Sequence, residues 1–326
     1  LRNVRSVDPE AHAAYLRGRF YWHQSFTETG LKTSIAHFRR AIDLDPGFAQ
    51  AWSGMANCFS AMAVQSMLPP KEAATEAKHA AERALALDPL LAEAHLSMAG
   101  FQLFFEWNWA SAERALKSAM DLSPSYSLTH SLFTHYAAAR GWGEQAIASA
   151  RRALDLDPTS PVVNVDLAWA YLLTREYPKA LEQCLSILDM KISFPLAHVY
   201  LGQVYLCMRK YEPAIQEIEK ALPPDGDAPG PILAMLGYAY GLAGKNGAAL
   251  AVLHRMEELS KRCYVSSYDR AVLHTGLGEK DDALRYLRQA LKERSPRVIW
   301  LKVEPTFDSL RGDRHFENMV LGLGLE

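Results

Sequence analysis

The sequence predicts an all-α chain: a right-handed α-solenoid of about eight helix pairs, finished at its C-terminal end by a capping segment. Three observations predict it. A phrase ending in proline recurs at a nearly fixed interval, small residues recur on one face of every second helix, and the stretch from Ser295 to Leu323 breaks the pattern while staying aromatic. A period of about 34 residues marks a stacked helix-turn-helix array.

The phrase is Ala41-Ile-Asp-Leu-Asp-Pro46, echoed as Ala84–Pro89, Ala119–Pro124 and Ala153–Pro158, with the prolines 43, 35 and 34 residues apart. The residue before a proline avoids the helical region, and proline itself has no N–H to continue a helix, so each phrase ends one. Counting back from the fourth proline gives helix A near Leu128–Arg140, a turn at Gly141–Gly143 and helix B over Glu144–Leu156. In helix B, Ala146, Ala150 and Ala153 fall on one face, where small side chains let two helices approach closely. Corresponding small residues recur as Ala180, Ala214, Ala249 and Ala283, and helix A repeats the pairs Leu167-Ala168, Leu201-Gly202 and Leu236-Gly237, each followed by a tyrosine. Units are expected to begin near Tyr15, Ala49, Ala92, Ser127, Pro161, Pro195, Gly230 and Tyr264. Residues 1–14 read as a linker from an upstream domain, 15–294 as the array and 295–326 as the cap, in which Trp300, Phe307 and Phe316 are expected to be buried over the last helix pair.

These small residues, tyrosines and prolines, taken as a set, resemble the tetratricopeptide repeat family. Asp8–Trp22 and Val303–Phe316 further resemble the first and last parts of the repeat array in bacterial multidomain regulators. In those proteins a winged-helix domain, cyclase or kinase and a TolB-like segment precede the array. The resemblance implies the sensory or interaction part of a signalling protein, with Leu1 a cut point in a longer chain and no ligand identified.

Composition narrows the function. With 49% hydrophobic and 22% charged residues and a net charge of -2, the chain has ample core material and no basic block for nucleic acid. Cys58, Cys184, Cys207 and Cys263 lack metal or disulfide spacing and read as reduced thiols. No uncharged stretch reads as a membrane span, so a cytoplasmic location is expected, or an extracytoplasmic one if an anchor precedes Leu1. GxSxG, P-loop and HExxH motifs are absent, so no enzyme, cofactor or metal is expected; His130 and His135 are five apart and share no ligand face.

A curved stack lines its concave face with helix A of each unit. The slots that point inward hold Asn57, His135, Trp169, Gln203, Tyr238 and Tyr268, an expected partner-binding groove that is polar at one end and aromatic at the other. Its expected occupant is a peptide or protein carrying an apolar or amphipathic segment, with the upstream domain included among the candidates. The competing expectations are burial of these residues by curvature alone, a dimerisation scaffold acting through convex or end surfaces, and an enzyme with acids hidden in the groove. Trp107 and Trp109 are expected to plug the turn of the third unit.

Overall fold

A computed structural model describes residues 7–24, 27–190, 194–223 and 228–325. Among them there is no strand, and sixteen helices form eight successive antiparallel pairs. The pairs are α1 (Pro9–Gln24) with α2 (Glu28–Leu44), α3 (Ala49–Val64) with α4 (Pro70–Leu87), and α5 (Ala92–Phe101) with α6 (Trp109–Leu122). They continue as α7 (Ser127–Ala139) with α8 (Gly143–Leu156), α9 (Pro161–Leu173) with α10 (Tyr177–Asp189), and α11 (Pro195–Cys207) with α12 (Tyr211–Lys220). The last two are α13 (Gly230–Leu242) with α14 (Asn246–Ser260), and α15 (Ser267–Leu277) with α16 (Lys280–Lys292). Two 3-10 turns, Pro296–Trp300 and Pro305–Leu310, and α17 (Arg314–Gly322) complete the chain.

The proline phrases end helices as their chemistry requires. The backbone N–H of Asp45, Asp88, Ser123 and Asp157 closes the last turn on Ala41, Ala84, Ala119 and Ala153. Each proline carbonyl then accepts from the side chain six residues on. Trp52, His95, His130 and Asn164 supply these bonds at 2.8–3.1 Å, so four different residue types satisfy one recurring acceptor. Left-handed backbone recurs just as regularly where helix A ends, at Trp107, Gly141, Arg175, Gly244 and Gly278, and at Arg209 in the sixth unit.

Three boundaries depart from expectation. Helix α1 begins at Pro9, so residues 9–14 are array rather than linker: the Asp8 carboxylate accepts from the N–H groups of Glu10 and Ala11, and Pro9 suits the first helical position. Helix α15 starts at Ser267, capped by Ser266, slightly after the expected Tyr264. In the third unit helix A runs on through a π-turn over Gln102–Glu106 before α6 starts.

The sharpest helix contact joins α13 to α15. A Cβ on Gly276 would lie 2.4 Å from the Cα of Tyr238, and one on Gly241 2.3 Å from the carbonyl oxygen of Gly276. The obstructing atoms are backbone, so they cannot swing aside. Gly276→Ala is expected to destabilise the chain by about 2–3 kcal/mol. Gly247→Ala, in the first turn of α14 with open space around it, is expected to be neutral or slightly stabilising. Paired denaturant titrations check this.

Cys58 and Cys184 are buried, Cys207 is half-buried and Cys263 is exposed. Burial pushes the first three thiols up to about 12, leaving almost no thiolate at neutral pH. A thiol reagent on the native chain is expected to label Cys263 promptly and the other three only on unfolding, as a mass-spectrometric time course would show.

Candidate binding chamber

The C-terminal segment does not stop at the last helix pair. Phe307 and Phe316 are buried there as expected, but residues 296–304 cross the concave side and reach α3, α7 and the π-turn of the third unit. Four consecutive apolar residues make the crossing. Ile299 and Trp300 join the core of the N-terminal half, while Val298 and Leu301 join that of the C-terminal half. Residues that are apolar on every side are covered on every side, and a segment lying between two halves of a curved array meets that condition.

Trp300 is the centre of the crossing, 6% exposed. Its ring meets Trp169 edge-on at 5.1 Å, Phe104 at 6.1 Å and His135 at 5.4 Å, and its indole N–H donates to the His135 carbonyl at 3.2 Å. Around it a polar frame fixes the backbone. Arg297 pairs with the buried Asp269 at 2.6 Å and lies over the Tyr268 ring at 4.4 Å. Gln203 donates to the Glu304 carboxylate at 2.8 Å, and the same carboxylate oxygen accepts from the backbone N–H and the hydroxyl of Thr306. Farther along, Arg175 pairs with Asp308 at 2.8 Å.

Trp107 and Trp109 have a longer reach than a turn plug. Trp109 donates its indole N–H to the carbonyl of Leu323 at 2.7 Å, Arg140 donates to that of Gly324 at 3.0 Å, and Arg294 covers the Trp107 ring at 4.1 Å. The third and fourth units are thereby joined to the chain's end.

What the crossing leaves is a chamber of about 210 Å³ that opens to solvent. Five of the six sequence-predicted groove residues line it: Asn57, His135, Trp169, Gln203 and Tyr268. Three of these are largely covered, by curvature and by the C-terminal segment together: Trp169 is 5% exposed, Gln203 6% and Tyr268 1%. Tyr238 lies outside the lining, half-buried, and burial with nearby Cys207, Glu304 and Asp308 pushes its hydroxyl above the usual tyrosine range. Burial likewise raises Tyr268.

Sequence reasoning missed Asp166, Ser131, Arg297, Trp300 and Glu304, all of which line the chamber. Asp166 had a signal, a lone acid inside the apolar run Val162–Leu173. Its carboxylate accepts from the Ser131 hydroxyl and from His135 Nε2–H at 3.1 Å, an arrangement that fixes the imidazole tautomer. Ser131 donates to Asp166 rather than to His135, so the three do not form a nucleophile–base relay. The remaining histidines are also engaged. His198 bonds Glu217 at 2.8 Å and His274 bonds Glu279 at 2.6 Å. His274, Glu279 and Asp282 each bring one ligand atom within 4.8 Å of the others, but Arg285 already pairs with Asp282, and the group reads as a charge network at the α15–α16 turn. Among the described residues no helix is long and apolar enough to cross a membrane.

No protein-family model matches the sequence, and no curated protein sequence matches it. Solved structures do. The Cut9–Hcn1 hetero-tetramer of the APC/C aligns over 93% of this chain and 53% of its own, at TM-score 0.62 and 16% identity. A human IFIT1 dimer with m7Gppp-AAAA aligns over 92% and 69%, at 0.63 and 15%. A monomeric IFIT1 mutant with Gppp-AAAA aligns over 96% and 71%, at 0.65 and 15%. At this identity the likeness concerns the fold, and this chain spans only about half of the Cut9–Hcn1 chain. The architecture is that of a tetratricopeptide-type α-solenoid.

Proposed function

We propose that this tetratricopeptide-type array is a non-catalytic interaction module that captures a protein segment by taking one of its apolar side chains into the concave chamber. The observation that carries the reading is the chamber itself: an open, mostly apolar and aromatic space lined by five of the groove residues, beside a segment of the same chain already anchored there through Trp300. The charged groups among the described lining residues are Asp166, Glu304 and Arg297, the last paired with Asp269, a balance that suits a neutral segment and not a phosphate chain. Both acids are held by hydrogen bonds within the wall, which supports positioning over catalysis. In keeping with the family resemblance, the module would serve a longer bacterial regulator inside the cytoplasm, its upstream domain being one candidate for the captured segment.

The test is selection from a displayed peptide library. Wild-type chain is expected to enrich peptides with an aromatic or aliphatic anchor. Leu132→Glu, at a half-buried lining position, is expected to enrich none while keeping its helical signal. Identical enrichment by both chains would sink the reading.

One observation favours a second reading. Leu16 and Phe20, on α1 at the open N-terminal end, are 48% and 53% exposed. Such an uncapped apolar end favours self-association in solenoids. If the chain dimerises through it, Leu16→Glu with Phe20→Glu yields a monomer by light scattering with peptide capture intact.

A further inference from the structure

We infer that the chamber selects the phenol of a tyrosine, its hydroxyl donating a hydrogen bond to Nδ1 of His135. The inference rests on the chamber being the site that captures a protein segment and adds which side chain it takes. Size comes first. An apolar cavity of about 150 Å³ accepts one benzene, and 210 Å³ leaves room for a single ring with a substituent. The walls suit a ring, since Phe104, Trp169, Trp300 and Leu132 all line the space.

The polar lining then separates a phenol from a plain phenyl. Nearly every polar group in the wall is consumed: Asp166 by Ser131 and His135, Gln203 by Glu304, and Arg297 by Asp269. Two are not. The Ser60 hydroxyl, on a residue 6% exposed, has no partner, and neither does His135 Nδ1. Buried groups left without a partner are rare, because each forfeits the hydrogen bonds it made in water. His135 Nε2–H points to Asp166, so in the neutral ring Nδ1 is a pure acceptor and requires a donor from the occupant. A phenylalanine ring fills the space and leaves both groups orphaned. A tyrosine fills it and brings the donor.

The C-terminal segment supplies a precedent for how a chain docks here. Trp300 places an aromatic ring against His135 and donates its ring N–H to the backbone of the same helix. A captured tyrosine repeats that pattern one step further in, on the imidazole instead of the carbonyl.

The experiment uses the full chain and three probes: a blocked Gly-Gly-Tyr-Gly-Gly peptide, its phenylalanine counterpart, and free p-cresol. Binding is followed by the indole N–H resonances of Trp169 and Trp300. The tyrosine peptide is expected to bind about tenfold more tightly than the phenylalanine peptide, the worth of one hydrogen bond that relieves a buried acceptor. His135→Phe is expected to abolish that ratio, and Ser60→Ala, which leaves the Asp166 network untouched, to show whether the second orphan contributes. Equal binding of the two peptides, or a ratio that survives His135→Phe, overturns the tyrosine assignment and leaves the interaction module standing. Binding of p-cresol with neither peptide overturns both in favour of a site for free phenols. Binding of none of the three overturns both outright.

Discussion

Trp300→Ala is expected to cost about 3–5 kcal/mol, the range for emptying a buried aromatic site, and to change the shape of unfolding as well as its midpoint. The residue is 6% exposed and packs with the core of the first four units, although it belongs to the chain's last segment. Removing the ring forfeits its burial, its edge contact with Trp169 and its bond to the His135 carbonyl. An open solenoid is held by nearest-neighbour contacts and loses cooperativity as it lengthens. Here Ile299 and Trp300 tie one half of the array to the other, so unfolding of the native chain is expected to be a single sharp transition. In Trp300→Ala the transition should broaden or split, with the two halves melting separately. Trp142→Ala is the control, since Trp142 is exposed and should cost far less. Denaturant titration read by circular dichroism distinguishes the two.

Arg297→Ala carries the next largest effect. Asp269 is fully buried at the start of α15, and its nearest cation is the Arg297 guanidinium at 2.6 Å. Burial raises the Asp269 carboxyl above its usual range even with Arg297 pulling the other way. Without the guanidinium the carboxylate is a buried charge with no counter-ion, at a cost of about 3–5 kcal/mol near neutral pH. The sign with pH follows from the raised value. The folded variant holds a proton on Asp269 that the unfolded chain has released, so its stability falls as pH rises above the ordinary carboxylate range of about 4. Below that range both states are protonated and the deficit should fade. Replacing both partners with apolar residues, Asp269→Leu with Arg297→Met, is expected to recover most of the loss, because the penalty lies in the unpaired charge. Stability measured at pH 4 and pH 7 for the four chains of this cycle tests the argument.

Much of the fold was legible because the repeat is written in side chains whose roles are local. Proline after a helix end and alanine at a helix crossing act within one unit. From them Ala49, Ala92, Ser127, Pro161, Pro195 and Gly230 emerge as helix starts, and the structure begins helices at each. Pro9 was missed because the first helix has no preceding proline phrase to count from. The expected loop at Asp225–Asp227 lies outside the described residues.

The chamber was half legible. Inward slots of helix A follow from the period, and Asn57, His135, Trp169, Gln203 and Tyr268 are indeed brought together. Tyr238 obeys the same arithmetic, but the contact of α13 with α15 through Gly276 places it apart, and that contact depends on a glycine that the pattern does not single out. The path of residues 296–304 was illegible for a different reason. Periodicity says which residues share a face inside the array and nothing about where an aperiodic segment lands. Its one clue was that Val298, Ile299, Trp300 and Leu301 are apolar without alternation, which requires cover on both sides and therefore a place between two surfaces.

Closure of the array by its own end is the claim on which the chamber depends. The most direct measurement places a spin label at the exposed Leu321 (as Leu321→Cys with Cys263→Ser) and records the tryptophan indole N–H resonances. Because Leu323 accepts the Trp109 indole at 2.7 Å, the Trp109 signal should be broadened strongly although more than 200 residues separate it from the label. Trp52, at the far end of the array, should be unaffected. A sharp Trp109 signal in the labelled chain would mean that the C-terminal segment does not cross the concave side, and the chamber with its proposed occupant would go with it.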